Sequence, residues 1–302
     1  MPELSSSPLD FGSSAWLLSL DPQLGGAIRR LQWNGRDILR CAPDDAVDPL
    51  ELACFPLAPF SNRIGDGGFF FLGKRYNLPA NMQGVPDPIH GFSWQRAWEL
   101  VELGDAVIRL RMEDRESPWP QPYVVDQAIM FDSDSVHIQI RLTNVGDGPM
   151  PAGIGLHPYF PKGRTICEIM PGAMWEKNRD DMPVRLNPSH RFQGPAIAMK
   201  DIRLDHSFSG WDGVAVLDAP DQGLKIHLAA SETLRELVIY SPDDEYFCIE
   251  PVSHLTNAIH ATSKVRASGW RILEAGESLE GTLSLSVEDY GNVKGIAAAG
   301  VT

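Results

Sequence analysis

Hydrophobic and polar residues alternate over several stretches of the chain. The clearest is VHIQIRLTNV at 136–145, and the same period of two recurs in LKIHLA at 224–229 and TLSLSV at 282–287. Successive side chains of a β-strand point to opposite faces of the sheet, so this alternation predicts strands with one buried and one solvated face. No apolar stripe of helical spacing continues over about 12 residues, so the pattern predicts no long helix.

Turn residues separate the predicted strands. Asn34-Gly35 stands between two strand-like arms, and Asn-Gly is the strongest short hairpin signal because both residues tolerate a positive φ. The 27 glycines and 24 prolines are spread along the chain, as many turns require. Three further turns are predicted at Gly73, 132–135 and 219–223.

Many short strands with frequent turns favour a large antiparallel β-sandwich over a parallel α/β sheet. No internal repeat, low-complexity block or Pro/Ser-rich linker divides the chain. A chain of 302 residues is long for one average domain, but β-sandwiches of this size are common. We therefore predict an all-β protein in which residues 1–302 form a single domain.

Composition and charge narrow the classes of partner. A net charge of −14 repels phosphate backbones and anionic lipid surfaces, so we expect neither nucleic acid nor membrane as a partner. The four cysteines are far apart and form no Cys-x-x-Cys pair, which predicts reduced structural thiols. The first twenty residues lack the basic start of a signal peptide, and no run reaches the roughly 18 apolar residues of a membrane helix. We expect a cytoplasmic protein.

Residues 153–160, GIGLHPYF, place a histidine and a proline inside an apolar, aromatic run. His157 is either a core histidine with one satisfied hydrogen bond or a titratable group held rigidly at the wall of a pocket. The glycines Gly153 and Gly155 would let a bound molecule approach the backbone closely. The local residues leave both interpretations open.

Two loop segments join polar residues to the turn residues and aromatics that build pocket walls. Asn62-Arg63 precedes a glycine-rich turn. The guanidinium of Arg63 either donates hydrogen bonds to neutral hydroxyls or is solvated on a surface loop. His90 lies in DPIHGFSW, whose prolines predict a loop held in place. A structural or surface role for this histidine stays open.

Glu250 follows the apolar residues YFCI and precedes a proline. We predict its carboxylate at the end of a buried strand, where partial desolvation would raise its pKa and suit a general base. An exposed strand end is the ordinary alternative. The histidines predicted at the surface are His137, His190, His206 and His227, and those considered as possible supports for Glu250 are His254 and His260.

In order along the chain, NRIGDGGFFFLGKRYNLPAN, IHGF, GIGLHPYF and IEPVSHLTNA resemble motifs of the aldose 1-epimerase, or galactose mutarotase, family. The resemblance spans roughly residues 18–290. It implies a galactose mutarotase-like supersandwich that binds sugar in a cleft on one sheet and needs no cofactor or metal. The segment EPVSHLTNAIH differs from that of members acting on free galactose, which implies a separate branch and leaves the sugar open.

The family's functional residues carry over position by position. By resemblance, Glu250 is the catalytic base, His157 is the catalytic acid and His90 is the second active-site histidine. The sugar-binding residues implied in the same way are Asn62, Arg63 and Asp205.

Interconversion of the α and β anomers of an aldose needs one base and one acid. The base removes the proton of the C1 hydroxyl while the acid protonates the ring oxygen, and the open chain rotates about C1–C2 before it closes again. At reference pKa values of about 4.3 and about 6.5, we expect Glu250 to be ionised and His157 partly protonated near neutrality. Each positioned proton-transfer group typically contributes about 10²–10⁴-fold.

Three other functions would use the same fold or residues. A hexose-6-phosphate 1-epimerase would add a cationic subsite, for which Arg29, Arg30 and Arg96 are available. A glycoside hydrolase would use Glu250 and Asp205 as two carboxylates about 5–10 Å apart. A non-catalytic carbohydrate-binding protein would use stacking aromatics, the candidates being Trp94, Trp98, Trp119 and Trp211. In every case we expect a small-molecule sugar partner and a monomer or homodimer.

Overall fold

The computed structural model describes residues 8–13, 15–190, 192, 194–260 and 269–291. The strands are β1 (Leu9–Ser13), β2 (Trp16–Asp21), β3 (Ala27–Trp33), β4 (Arg36–Asp37), β5 (Cys54–Leu57), β6 (Gly68–Phe71), β7 (Lys74–Asn77), β8 (Glu99–Leu103), β9 (Val107–Asp114), β10 (Tyr123–Phe131), β11 (Ser135–Asn144) and β12 (Met150–Ala152). They continue with β13 (Gly155–Pro161), β14 (Ile166–Ile169), β15 (Ala173–Lys177), β16 (Pro183–Asn187), β17 (Gly194–Ala198), β18 (Leu204–Ser209), β19 (Val214–Ala219), β20 (Leu224–Ala230), β21 (Glu236–Ser241), β22 (Tyr246–Val252), β23 (Arg271–Leu273) and β24 (Ser278–Asp289).

The helical segments of the described residues are single 3₁₀ turns, as the absence of a helical stripe predicts. They are Pro49–Glu51, Ser93–Gln95, Met199–Asp201 and Ala258–His260. None of the helices in this part of the chain combines the length and the apolar character that a membrane span needs.

Antiparallel pairing organises most strands into two large sheets. The first sheet has eleven strands in the order β1-β2-β3-β5-β13-β22-β21-β18-β15-β16, with β4 paired to β3. The second has nine strands in the order β17-β14-β19-β20-β24-β11-β10-β9-β8. The described residues also form two small sheets, β12-β23 and β6-β7. The prediction of an all-β, antiparallel sandwich is confirmed.

The predicted turns lie where the sequence places them. Asn34 and Gly35 join β3 to β4 with φ values of 48° and 72°, in the left-handed region that this dipeptide tolerates. Gly73 lies in the turn between β6 and β7, with a φ of 79°. The turns at 132–135 and 219–223 connect β10 to β11 and β19 to β20.

The main apolar core lies between the two large sheets. Ile138 of β11 pairs in register with Leu283 of β24, and both side chains are fully buried in it. Leu18 and Phe160 contribute to the same cluster from the first sheet. The alternation predicted over 136–145 therefore directs one face of the strand to this core.

The central strands of the first sheet are buried on both faces. Their second face carries a smaller apolar cluster that includes Phe55, Tyr159, Val238 and Cys248. Trp94 belongs to this cluster from the 3₁₀ turn at 93–95. A strand that is buried on both faces reads as a continuous apolar run, which is why GIGLHPYF shows no alternation.

Candidate active site

A polar cavity opens on this second face of the first sheet. Its volume of about 280 Å³ lies near the lower end of the range of small-molecule sites, roughly 300–1,000 Å³. Strands β13, β22, β21 and β18 and the loop segments around 62 and 90 supply the lining. The cavity brings together every site residue named from the sequence, namely Asn62, Arg63, His90, His157, Asp205 and Glu250.

His157 and Glu250 lie side by side in the lining of the cavity, on the adjacent strands β13 and β22. Nε2 of His157 is 3.4 Å from Oε1 of Glu250. The two residues are only 5% and 2% exposed. Glu250 stands within Tyr246–Val252 and not at a strand end, so its carboxylate is buried more fully than the sequence predicts.

Aromatic neighbours fix the imidazole of His157. The rings of Phe55 and Tyr159 pack against it with centroid separations of 4.7 and 4.6 Å and nearly parallel planes. The guanidinium of Arg40 lies 3.5 Å from the centroid of the Tyr159 ring and donates to the carbonyl oxygen of Leu52. This packing leaves His157 little freedom to rotate away from Glu250.

Burial shifts the pKa values of the pair in opposite directions. Desolvation lowers the pKa of His157 well below its ordinary value, and the neighbouring His90 lowers it further. Desolvation raises the pKa of Glu250 well above its ordinary value, and the charge of Asp205 adds to the rise. Both directions favour the neutral forms in the free protein, with a proton on Glu250 rather than on His157. Both directions run against the expectation, from reference pKa values, of an ionised glutamate beside a partly protonated histidine.

His90 contributes a neutral donor to the cavity. The backbone N–H of Asn62 donates to Nδ1 of His90 over 3.2 Å, and because an N–H can only donate, the neutral ring carries its proton on Nε2. Desolvation lowers the pKa of His90 to about 3. His90 and Asn62 have φ values of 61° and 54°, a strained region for residues other than glycine that is typical of functional sites. The prediction of a fixed loop at His90 is confirmed.

Four charged side chains form a chain of ion pairs beside the cavity. Oδ2 of Asp205 is 2.8 Å from Nζ of Lys177, and Asp181 lies 3.6 Å from Lys177 and 3.8 Å from Arg63. The positive charges of Lys177 and Arg63 partly offset the rise in the pKa of Glu250. Sequence analysis missed Lys177 and Asp181, because the segment WEKNRDDM has no periodicity or motif that points to a site.

Tyr240 and Tyr246 of the lining, and Cys248 beside His157 and Glu250, were also missed. Tyr246, Cys248 and Glu250 are alternate residues of β22, so the period of two would have placed them on one face once Glu250 was assigned to a strand. Desolvation raises the pKa of Tyr240 to about 12, which keeps its hydroxyl protonated. His157, Cys248 and Glu250 also form a potential metal-donor set among the described residues, with their donor atoms within 4.8 Å of one another.

The amino-acid sequence matches the aldose 1-epimerase family over residues 21–286. The chain belongs to this family. Protein YphB of Escherichia coli K12 is 28% identical over 283 residues, which cover 87% of this chain and 93% of YphB. A crystal structure from the same organism superposes with a TM-score of 0.85 at 26% identity, covering 93% of this chain and 99% of the other. A galactose mutarotase-like protein of Clostridium acetobutylicum superposes with a TM-score of 0.84 at 20% identity, covering 93% and 95% of the two chains.

The glycines of GIGLHPYF have a packing role in this aldose 1-epimerase family member. A Cβ on Gly153 would lie 2.0 Å from Cδ2 of His254, and a Cβ on Gly155 would lie 2.7 Å from Cγ1 of Val252. The absent side chains make room for the His254 ring and for strand β22. The prediction that these glycines admit a bound sugar is wrong.

His254 is a structural support of the site loop. Its Nε2 accepts from the backbone N–H of Ser61 over 3.1 Å, and its Nδ1–H donates to the carbonyl oxygen of Leu255 over 2.8 Å. Both ring nitrogens are used, so His254 has no free atom for substrate. One surface prediction is wrong, because His190 is buried and bonded to a backbone carbonyl, and His206 is half-buried in β18. His227 is exposed as predicted, and His137 is half-buried.

Proposed function

We propose that this chain is a cofactor-independent aldose 1-epimerase that interconverts the α and β anomers of a neutral aldose. The observation that carries the proposal is the 3.4 Å separation of His157 Nε2 and Glu250 Oε1 in a polar cavity. Ring opening moves one proton from the C1 hydroxyl and one proton to the ring oxygen, and both oxygens are bonded to C1. An acid and a base that serve this reaction must therefore lie side by side.

At every stage of the reaction, Glu250 and His157 together carry one transferable proton. Glu250 takes the proton of the C1 hydroxyl, the C1–O5 bond breaks as the C1 carbonyl forms, and His157 gives its proton to O5. After rotation about C1–C2, O5 attacks the other face of C1 and returns its proton to His157, while Glu250 reprotonates O1. Hydrogen bonds from sugar hydroxyls to Glu250 stabilise its ionised form, which shifts the shared proton from Glu250 to His157 when the sugar binds.

The remaining polar groups fit a ligand rich in hydroxyls. His90 offers an Nε2–H donor, Arg63 offers a guanidinium and Asp205 offers carboxylate acceptors, all lining the same cavity. Asp205 is oriented by Lys177, and Arg63 lies close to Asp181. Because each of these two cations already faces a carboxylate, the described residues give the cavity paired charges and not a free positive subsite. This arrangement favours a neutral sugar.

The three arginines considered for a phosphate subsite lie elsewhere. Arg29 pairs with Asp21 at 3.0 Å, and neither Arg30 nor Arg96 lines the cavity. Arg96 lies 3.7 Å from Asp114 on a different part of the surface. The predicted cationic subsite for a hexose 6-phosphate is therefore not formed by these residues.

The arrangement of the aromatic and acidic residues also supports an epimerase over the other two alternatives. The four tryptophans considered as sugar-stacking platforms are buried by 95% or more, and they are Trp94, Trp98, Trp119 and Trp211. A glycoside hydrolase places its two carboxyl groups about 5–10 Å apart around the scissile bond. In this structure Glu250 has the imidazole of His157 3.4 Å away, and Asp205 is paired with Lys177 at 2.8 Å.

Polarimetry of freshly dissolved α-glucose, α-galactose and glucose 6-phosphate tests the proposal. We expect the wild type to accelerate mutarotation of a neutral sugar and His157→Asn to lose about 10²–10⁴-fold of that acceleration. His227→Asn is the matched control, because His227 is exposed on β20 of the other sheet. Full activity of His157→Asn would refute the assigned acid, and acceleration with the phosphosugar alone would refute the neutral substrate.

A further inference from the structure

Cys248 has no role in the acid–base reaction, yet its thiol lies beside the reacting pair. It is fully buried in β22, two residues before Glu250 on the same strand face. The donor atoms of His157, Cys248 and Glu250 all lie within 4.8 Å of one another. Nitrogen, sulfur and carboxylate oxygen are the donors that Zn²⁺ accepts in proteins.

The geometry of the pair suits a tetrahedral ion. Zinc binds nitrogen and oxygen at about 2.0–2.2 Å and sulfur at about 2.3 Å, so two N or O ligands lie about 3.3 Å apart and sulfur lies about 3.5 Å from either. Nε2 of His157 and Oε1 of Glu250 are already 3.4 Å apart. Only the Cys248 sulfur has to move, from within 4.8 Å of the other two donor atoms to about 3.5 Å from each of them. Rotation about the Cα–Cβ bond of Cys248 displaces the sulfur by an amount of this order.

A second observation indicates that this donor set is incomplete without a ligand. Oε2 of Glu250 is buried and has no hydrogen-bond partner among the described residues. A buried carboxylate oxygen without a partner is costly, and either a sugar hydroxyl or a cation would satisfy the Glu250 carboxylate. His157 and Glu250 line the cavity and Cys248 is buried beside them, so the fourth position of a tetrahedral ion faces the cavity and is left for water.

We propose that His157, Cys248 and Glu250 form an inhibitory site for a thiophilic divalent cation, with Zn²⁺ as the ligand that fits. Zinc binding displaces two protons to solvent, one from the Cys248 thiol and one from the Glu250 carboxyl, and bonds sulfur, imidazole nitrogen and carboxylate oxygen to the ion. The ion occupies the place of the reacting oxygens O1 and O5 and ties up both proton-transfer groups. The inhibition rests on the proposed epimerase function, whereas the metal site itself does not.

Metal binding is measured first without any sugar. Cd²⁺, a thiophilic substitute for zinc, gives an ultraviolet charge-transfer band when it bonds to a thiolate, and calorimetry gives the stoichiometry and affinity for Zn²⁺. All proteins carry Cys41→Ser, because Cys41 is exposed and lies 2.9 Å from Asp37, where it could bind metal independently. We expect one equivalent of each metal, a Cd²⁺–thiolate band, and no comparable binding of Mg²⁺, which prefers oxygen ligands.

Two variants remove the thiol with different effects on packing. Cys248→Ala and Cys248→Ser should each abolish the Cd²⁺ band and weaken Zn²⁺ binding about 100-fold or more, since even the loss of an outer hydrogen-bond partner costs about 10–100-fold. Circular dichroism checks that each variant is folded. Unchanged zinc affinity in a folded Cys248 variant, or no Cd²⁺ band in the Cys41→Ser protein, would overturn the proposal.

Mutarotation assays then separate the two proposals. Zinc should inhibit the Cys41→Ser protein competitively with sugar and reversibly on chelation, while the folded Cys248 variants stay active and resist it. A protein that forms the Cd²⁺ band but accelerates no mutarotation supports the metal site and refutes the epimerase function. A protein that is active but insensitive to zinc refutes the inhibitory site alone.

Discussion

Replacing Glu250 by glutamine separates what the buried carboxylate does for catalysis from what it costs in stability. Glutamine keeps the shape of the side chain and one carbonyl acceptor, but it can neither take nor release a proton. Glu250 is 2% exposed, and its Oε2 has no hydrogen-bond partner among the residues described. The variant is therefore expected to lose activity and to gain stability.

The sign of the stability change follows from the raised pKa of Glu250. Above pH ~4.3 the unfolded chain releases this proton while the folded protein still holds it, so the free energy of unfolding falls as the pH rises toward the folded pKa. One pKa unit corresponds to about 1.4 kcal/mol. We expect Glu250→Gln to raise the free energy of unfolding by about 1–3 kcal/mol at pH 8 and by less at pH 5. The mutarotation rate should fall by about 10²–10⁴-fold.

Polarimetry gives the rate, and urea unfolding at pH 5 and pH 8 gives the stability. The matched control is Glu236→Gln on the adjacent strand β21, where burial raises the pKa of Glu236 to about 7 and the carboxylate accepts from Ser209 outside the cavity lining. The control should keep its mutarotation rate within about 2-fold. A Glu250→Gln protein that stays active, or that is less stable than the wild type at pH 8, would refute the reasoning.

Three further predictions concern binding, packing and acid stability. Asp205→Asn and Lys177→Met should raise KM more than they lower kcat, because the pair lies 2.8 Å apart beside the cavity; an effect on kcat alone in steady-state assays would contradict this. Gly153→Ala should lower the free energy of unfolding by about 1–3 kcal/mol, because its Cβ would lie 2.0 Å from the His254 ring; an unchanged melting temperature would contradict it. Burial lowers the pKa of His90 to about 3 and of His254 to about 4, so below pH ~6.5 the unfolded state binds more protons than the folded state. The free energy of unfolding should therefore decrease as the pH is lowered from about 6.5. Urea unfolding across that range checks this expectation, and a flat profile would count against it.

Strands with one solvated face could be predicted from the sequence, because burial on one side only produces an alternating pattern of apolar and polar residues. The alternation at 136–145 and 282–287 appears in the structure as the paired strands β11 and β24. The central strands β5 and β13 are buried on both faces, so their apolar runs carry no period from which to assign a face. Only the packing of the first sheet shows which residues of GIGLHPYF point to the core and which to the cavity.

Ordered motifs that resemble the aldose 1-epimerase family were enough to name six site residues, and the fold brings all six to one cavity. Their protonation states were not predictable, because reference pKa values describe solvated groups and His157 and Glu250 are desolvated side by side. Lys177 was missed because its link to Asp205 exists only through the pairing of β15 with β18. By itself the sequence determined the strands, turns and motif residues, which depend on local periodicity and side-chain chemistry. The tertiary structure alone decided register, burial and the charge around each group, because these depend on contacts between residues far apart in the chain.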